Sequence, residues 1–299
     1  CNIFAKKISR MRIVGLGNAL TDVLARLHSD ECFDEMGLLK GGMQLIDEEK
    51  LLRIMSVFEG LETTLASGGS AANAVSGGAR MGIESGFIGK IGRDAYGRFF
   101  REDMERNGVQ TLLIEGEQAS GCAMTMITPD GERTFGTFLG AAATLCAEEL
   151  SAEMFEGYDI LHIEGYLVQD TSLILRAVQL AKEVGLSVSF DMARYNVVKD
   201  NYAIIRDLVE NYVDILFANE EEALAYTGEE PRKATEILSR YCRIAVVKCG
   251  AQGSFVGCEG IITEVPATPE VRVDSTGAGD LYASGFLYGL SQNCSLGVC

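Results

Sequence analysis

Apolar residues fall along this chain in two rhythms. Short, nearly unbroken apolar runs occur at Arg12–Leu16 and at residues 85–90, 160–163, 186–191, 213–218 and 244–247. Each ends in a polar or glycine-rich turn, the mark of strands buried on both faces. In the second half these runs alternate with helix-period segments at residues 172–183, Tyr202–Asn211, Glu220–Thr227 and 232–241. Such alternation predicts parallel βαβ units and a sheet covered by helices on both faces. The first half reads differently. Short strand-like stretches at 22–28, 41–46 and 63–66 surround a loop containing Gly37 and a helix at Glu48–Phe58, with Asp47 as its N-cap. A helix at 95–107 follows Gly92-Arg93-Asp94. Gly121–Ile127 and residues 132–139 form a hairpin across Thr128-Pro129-Asp130-Gly131, a strong turn signal. The hairpin can project as a flap, with Phe135 and Phe138 facing either a ligand or the interior. A last helix spans 281–290. No repeat, low-complexity segment or linker divides the chain, so one discontinuous α/β domain is expected over 1–299, with 1–10 as an extension.

Composition narrows the function classes. The chain has 299 residues, 47% hydrophobic, enough for a sizeable core. Its formal net charge of −17 argues against nucleic acid and against anionic membrane surfaces as partners. The nine cysteines include no C-x-x-C pair, which reads as reduced thiols in a cytoplasmic protein. His28 and His162 are the two histidines, and His162 ends an apolar run, so a histidine-based triad is disfavoured. The first ten residues lack the apolar core of a signal peptide. The charge-free run 281–299 is interrupted by Gly285, Gly289, Ser291, Gln292 and Asn293, and reads as a buried helix and turn, not a membrane span.

Chemistry gathers at the glycine-rich turns. Val273-Asp274-Ser275-Thr276-Gly277-Ala278-Gly279-Asp280 precedes the last helix, so its amides cluster at a helix N-terminus suited to an anion. Asp280 sets a carboxylate beside that site, and an anion hole with a proton acceptor can move a phosphoryl group onto a hydroxyl. Asp22, just past the first strand, either holds two hydroxyls of a polyol or is an ordinary loop aspartate. Ser67-Gly68-Gly69-Ser70-Ala71-Ala72-Asn73 opens a helix of small residues; a tight strand–helix junction accounts for its glycines but not for Asn73. Glu164 follows another strand end. Asn219-Glu220-Glu221-Glu222 suits a water-rich Mg²⁺ shell or a capped helix start. Lys248-Cys249-Gly250-Ala251-Gln252-Gly253 forms a third glycine turn. Gly15-x-Gly17 lacks the third glycine of a dinucleotide fingerprint, because position 20 is Leu20.

Taken together, Gly17-Asn18-x-x-x-Asp22, Gly68-Gly69-x-x-x-Asn73, Asn219-x-x-Glu222 and Asp274-Ser-Thr-Gly-Ala-Gly-Asp280 resemble the ribokinase-like (PfkB) family of sugar and nucleoside kinases, in the family's order. The absence of G-x-x-x-x-G-K-[ST] sets it apart from P-loop enzymes. The resemblance implies a ribokinase-like α/β fold: a central, mostly parallel sheet with helices on both faces and a small β lid from about 22–47, 63–69 and 112–138. It implies Asp280 as base and the amides of Gly277, Ala278 and Gly279 as anion hole. Asn18, Asp22, Gly68, Gly69, Asn73 and Glu164 would meet the sugar. Asn219 and Glu222 would order Mg²⁺ through water. Lys248, Gly250 and Gly253 would lie along ATP, and Asp274 with Thr276 would hold a monovalent cation such as K⁺. Two residues depart from the pattern: Lys248 stands where many members carry Thr or Ser, and Ser70 where ribokinase proper carries Lys. Relatives continue past the last helix to wall the adenine pocket, so the ATP site is expected to be truncated at Cys299.

The favoured reading is an ATP- and Mg²⁺-dependent kinase acting on the primary hydroxyl of a ribonucleoside or furanose-type sugar. The stretch beginning at Asp130-Gly-Glu-Arg-Thr-Phe is more similar to the adenosine-kinase branch than to ribokinase proper. A non-catalytic sugar- or nucleoside-binding protein on the same scaffold is the alternative. The resemblance also allows a homodimer through the lid edge.

Overall fold

Strands and helices alternate through the computed structural model, which describes residues 11–268 and 276–299. The first stretch runs β1 (Arg12–Leu16), β2 (Leu20–Arg26), α1 (Cys32–Met36), β3 (Met43–Leu45), α2 (Glu48–Phe58), β4 (Thr63–Gly68) and α3 (Ser70–Arg80). Next come β5 (Glu84–Gly92), α4 (Ala95–Arg106), β6 (Val109–Gly116), β7 (Gly121–Ile127) and β8 (Arg133–Phe138). The βα half follows with β9 (Ile160–Glu164), α5 (Thr171–Glu183), β10 (Ser187–Asp191), α6 (Tyr195–Asp200), α7 (Tyr202–Asn211), β11 (Ile215–Asn219), α8 (Glu220–Thr227), α9 (Pro231–Leu238) and β12 (Ile244–Lys248). A hairpin, β13 (Ser254–Cys258) and β14 (Ile261–Val265), and α10 (Ala278–Ser291) complete the elements.

Two sheets result. The larger has the order β14-β13-β12-β11-β10-β9-β1-β5-β6. From β12 to β6 the neighbours run parallel, and β13 and β14 add antiparallel. The alternation of side chains along each strand divides the core. Leu216, Ala218, Ala245 and Val247 point to the face covered by α5 to α9. Ile215, Phe217, Ile244 and Val246 point to the face covered by α3, α4 and α10. Each large side chain buried this way contributes about 1.5–3 kcal/mol relative to exposure.

The smaller sheet has the order β3-β8-β7-β2-β4. One face packs Val23, Ala25, Met124 and Met126 on Phe33, Ile54 and Phe58 of α1 and α2. Asp47 starts α2 as expected, its Oδ1 accepting from the Lys50 amide at 2.9 Å. Phe138 packs against this core and Phe135 faces the cleft described below.

Two expectations are corrected, and one element pair was not foreseen. Residues 112–116, assigned to the small lid, lie in β6 and pair with β5 in the large sheet. The loop around Gly37 contains α1, which ends there because Gly37 takes φ +66°. The turn after Lys248 leads into the β13–β14 hairpin, which widens the large sheet.

Candidate active site

The strand order reverses at β1. The chain passes from β1 to β5 and β6 on one side, then returns to β9 on the other. Open α/β sheets bind ligands in the crevice at such a switch point, beyond the C-terminal ends of the strands. There the strands end in Glu164 (β9), Asp191 (β10), Asn219 (β11) and Lys248 (β12), with Asn18 just past β1. Together with the small sheet and the first turn of α10, they line a cleft of about 1470 Å³. The small sheet contributes Leu20, Asp22, Met43, Leu45, Phe135 and Thr137.

Asp280 is set by two helices that touch. Small residues let α3 approach α10: Ser284 Oγ donates to the Ala74 carbonyl at 2.7 Å, and a Cβ at Gly77 would lie 2.5 Å from that hydroxyl. This brings the first turns of both helices together. Ser70 Oγ donates to Asp280 Oδ1 at 2.7 Å, and Asn73 Nδ2 donates to Asp280 Oδ2 at 2.9 Å. Burial pushes the Asp280 carboxyl up to about 6 against those hydrogen bonds, with Asp191 adding to the rise. The N-cap of α10 is Gly277 at φ +70°, a left-handed conformation that favours glycine. The amides of the first turn have no partner within the helix, and Gly277, Ala278 and Gly279 line the cleft.

A second group surrounds Asn18. Glu164 is 1% exposed, and its carboxylate accepts from Asn18 Nδ2 at 2.6 Å, the Asn18 amide at 3.0 Å and the Ala71 amide at 3.0 Å. Burial pushes its carboxyl up to about 7 despite these bonds. Both oxygens are engaged, so Glu164, expected to meet the sugar, supports Asn18 and the start of α3 from below. Gly17 is glycine because a Cβ there would run into Glu164, which explains Gly15-x-Gly17 by packing. Asp22 lies over Gly68, where a Cβ would sit 2.5 Å from its carboxylate. Burial, with Asp280 nearby, raises Asp22 to about 6. Gly69 takes φ +99° and a Cβ there would strike the Asn18 carbonyl.

The third group lies along β11 and β12. Asn219 Oδ1 accepts from the Glu222 amide at 2.9 Å, while the Glu222 carboxylate accepts from the Asn219 amide at 2.7 Å and from Asn219 Nδ2 at 2.6 Å. This capping box realises the helix-start reading of the motif. Glu222 is nevertheless 2% exposed, and burial with Asp191 nearby pushes its carboxyl up to about 7. The capping box engages both Glu222 oxygens and the Asn219 side chain, so this pair would meet Mg²⁺ only through water, and among the described residues no cluster of three His, Cys, Asp or Glu could hold a metal ion. Lys248 Nζ pairs with Asp191 Oδ2 at 2.8 Å. Gly253 takes φ +96° beside the Val265 carbonyl, and Gly250 lies at the cleft wall. Asp274 lies outside the described residues; Thr276 Oγ1 accepts from Arg133 Nη1 of the small sheet at 3.3 Å. His162 is buried in the core, its Nδ1 2.9 Å from Ser189 Oγ, away from the cleft.

Two site residues escape motif reasoning. Ser70 stands out in the sequence only as a departure from ribokinase, and its bond to Asp280 appears only in the fold. Asp191 carried a signal, a polar strand end like Glu164 and Asn219, but its partner Lys248 is two strands away.

A helix start, a buried carboxylate against it and a cleft at the switch point suit a small-molecule kinase. The chain belongs to the pfkB family of carbohydrate kinases, whose model matches residues 36–299. The solved structure of adenosine kinase from Sinorhizobium meliloti is 32% identical, with a TM-score of 0.83 over 97% of this chain and 90% of that one. An uncharacterized sugar kinase of Archaeoglobus fulgidus is 30% identical over 74% of this chain and 88% of its own length. A fructokinase of Klebsiella pneumoniae is 29% identical over 76% and 77%. The fold is therefore ribokinase-like, and the protein is a phosphotransferase with a small-molecule alcohol as acceptor, a sugar or nucleoside. Such kinases use ATP, usually with Mg²⁺. Among the described residues no helix is long and apolar enough to cross a membrane.

Proposed function

We propose that this protein transfers the γ-phosphoryl group of ATP to the primary hydroxyl of a neutral ribonucleoside or furanose-type sugar. The observation that carries the reading is Asp280, held by Ser70 and Asn73 at the first turn of α10. A carboxyl near 6 is ionised at neutral pH yet basic enough to accept a hydroxyl proton as the bond forms. Asp280 takes that proton. The amides of Gly277, Ala278 and Gly279 receive the oxygens of the transferred group, whose charge they stabilise. Asn18 and Asp22 hold the acceptor's hydroxyls, Gly68 and Gly69 allow its close approach, and Glu164 fixes Asn18. Gly250, Gly253 and Lys248 border the nucleotide. Asn219 and Glu222 would hold Mg²⁺, which supplies charge neutralisation on the phosphates when bound.

The cleft lining favours a nucleoside. The small sheet presents Leu20, Met43, Leu45 and Phe135, an apolar surface suited to a planar base. Its one charged lining group there is Asp22, with Asp280 close enough to raise it, and this pair of carboxylates disfavours an anionic acceptor. Closure of the small sheet would exclude water, the competing phosphoryl acceptor.

A panel of ribonucleosides, furanoses and sugar acids, tested for acceptor-dependent conversion of ATP to ADP, decides. Turnover with a nucleoside and none with a sugar acid is expected. Binding of a nucleoside without any turnover would select the non-catalytic alternative.

A further inference from the structure

In the scheme above Lys248 borders the nucleotide, but the buried ion pair it makes with Asp191 is given no role. Lys248 closes β12 and Asp191 closes β10, so the lysine crosses in front of β11 to reach its partner at 2.8 Å. Both side chains are largely buried, at 15% and 8% exposure. Burial works to neutralise each, and their attraction holds the ammonium above and the carboxylate below their ordinary ranges. The carboxylate is fixed on its other oxygen as well: the Ala193 amide donates to Asp191 Oδ1 at 3.0 Å from a turn in which Ala193 takes φ +66°. A left-handed backbone at a non-glycine residue persists only where its surroundings over-determine it.

The far end of the lysine is equally defined. A Cβ placed on Gly279 would lie 3.3 Å from Lys248 Nζ, so the ammonium stands against the first turn of α10. The ammonium also feels Glu222 and Asp280. A lysine stem is flexible, and in a low-dielectric cleft a free ammonium would settle on whichever carboxylate it reached. Settling on Asp280 would pair the base and suppress its basicity.

We propose that Asp191 is a positioning residue that keeps Lys248 Nζ at the first turn of α10, facing the transferred phosphoryl group and off Asp280. This rests on the reading of the cleft as a phosphoryl-transfer site. Lys248 is then the contacting group and Asp191 acts only through it. An apolar pair could fill the same space without charge burial, so packing alone does not call for ions here.

A double-mutant cycle on the full chain tests this, with kcat, affinity for a non-hydrolysable ATP analogue by calorimetry, and thermal midpoint as readouts. Lys248→Met is expected to lower kcat about 100-fold, the scale of one lost transition-state donor. Asp191→Asn is expected to lower kcat about tenfold with Lys248 present, and by less than about twofold in the Lys248→Met background. Analogue affinity should change less than kcat in Asp191→Asn. Equal effects of Asp191→Asn in both backgrounds would overturn the proposal and leave a structural ion pair. If Asp191→Asn does not fold, Asp191→Glu carries the cycle: it keeps the charge but shifts the ammonium, and its kcat loss must likewise vanish with Lys248→Met. A wild type that phosphorylates no acceptor overturns the kinase reading itself, and this proposal with it. Wild-type activity with additive variants overturns the proposal alone.

Discussion

Single residues in the cleft trade stability for chemistry. Asp22 and Asp280 are both carboxylates lifted from 3.8 to about 6, mainly by burial. In the unfolded chain they ionise near 3.8, so between about pH 4 and 6 the folded state holds more protons. Stability contributed by the neutral forms is complete below pH 4 and is lost as pH rises through 6. Asp22→Asn removes that cost. It is expected to stabilise the protein at pH 7.5 by about 2–3 kcal/mol, two pKa units' worth, and not at pH 4. Thermal unfolding of both forms at the two pH values checks it; equal midpoint shifts at both would contradict it. Acceptor affinity should fall in the same variant, which separates the stability effect from the binding role.

Elements explain why Asp280 lies where it does. Helices α3 and α10 are far apart in sequence, and Gly77 and Ser284 let them close. Gly77→Val is expected to push them apart, destabilise the fold by about 1–3 kcal/mol and lower kcat about tenfold, because Ser70 and Asn73 ride on α3. Unfolding and steady-state kinetics on the variant test this, and an unchanged kcat with reduced stability would uncouple the helix contact from the site. Elements also mark how far the sequence can be read. The strands β9 to β12 and helices α2, α7 and α8 were legible because each carries its own signal, an unbroken apolar run or a cap such as Asp47. β6 was not: its burial is intermediate over most of its length, as for a lid strand, and only pairing with β5 reveals its sheet. Among site residues, Asp280, Asn73 and Asp22 were legible from glycine-rich context. The engagement of Glu164 with Asn18 and Ala71, and of Asp191 with Lys248, depends on neighbours distant in sequence and carries no local mark.

At the scale of the whole molecule, two sheets meet around one cleft, and strand ends, helix starts and an apolar sheet face converge there. In the proposed site a chain of net charge −17 would still offer a phosphoryl ligand local positive potential, from the α10 helix start and Lys248. The central claim is that Asp280 is the base in that cleft. Single-turnover transfer from ATP, with Mg²⁺ and the acceptor found in the panel, tests it most directly when wild type is compared with Asp280→Asn. The variant is expected to slow transfer by about 10³-fold, while acceptor affinity by calorimetry stays within about threefold of wild type, since binding rests on Asn18 and Asp22. A transfer rate within about tenfold of wild type, below the roughly 100-fold low end of what a lost general base costs, would contradict the account.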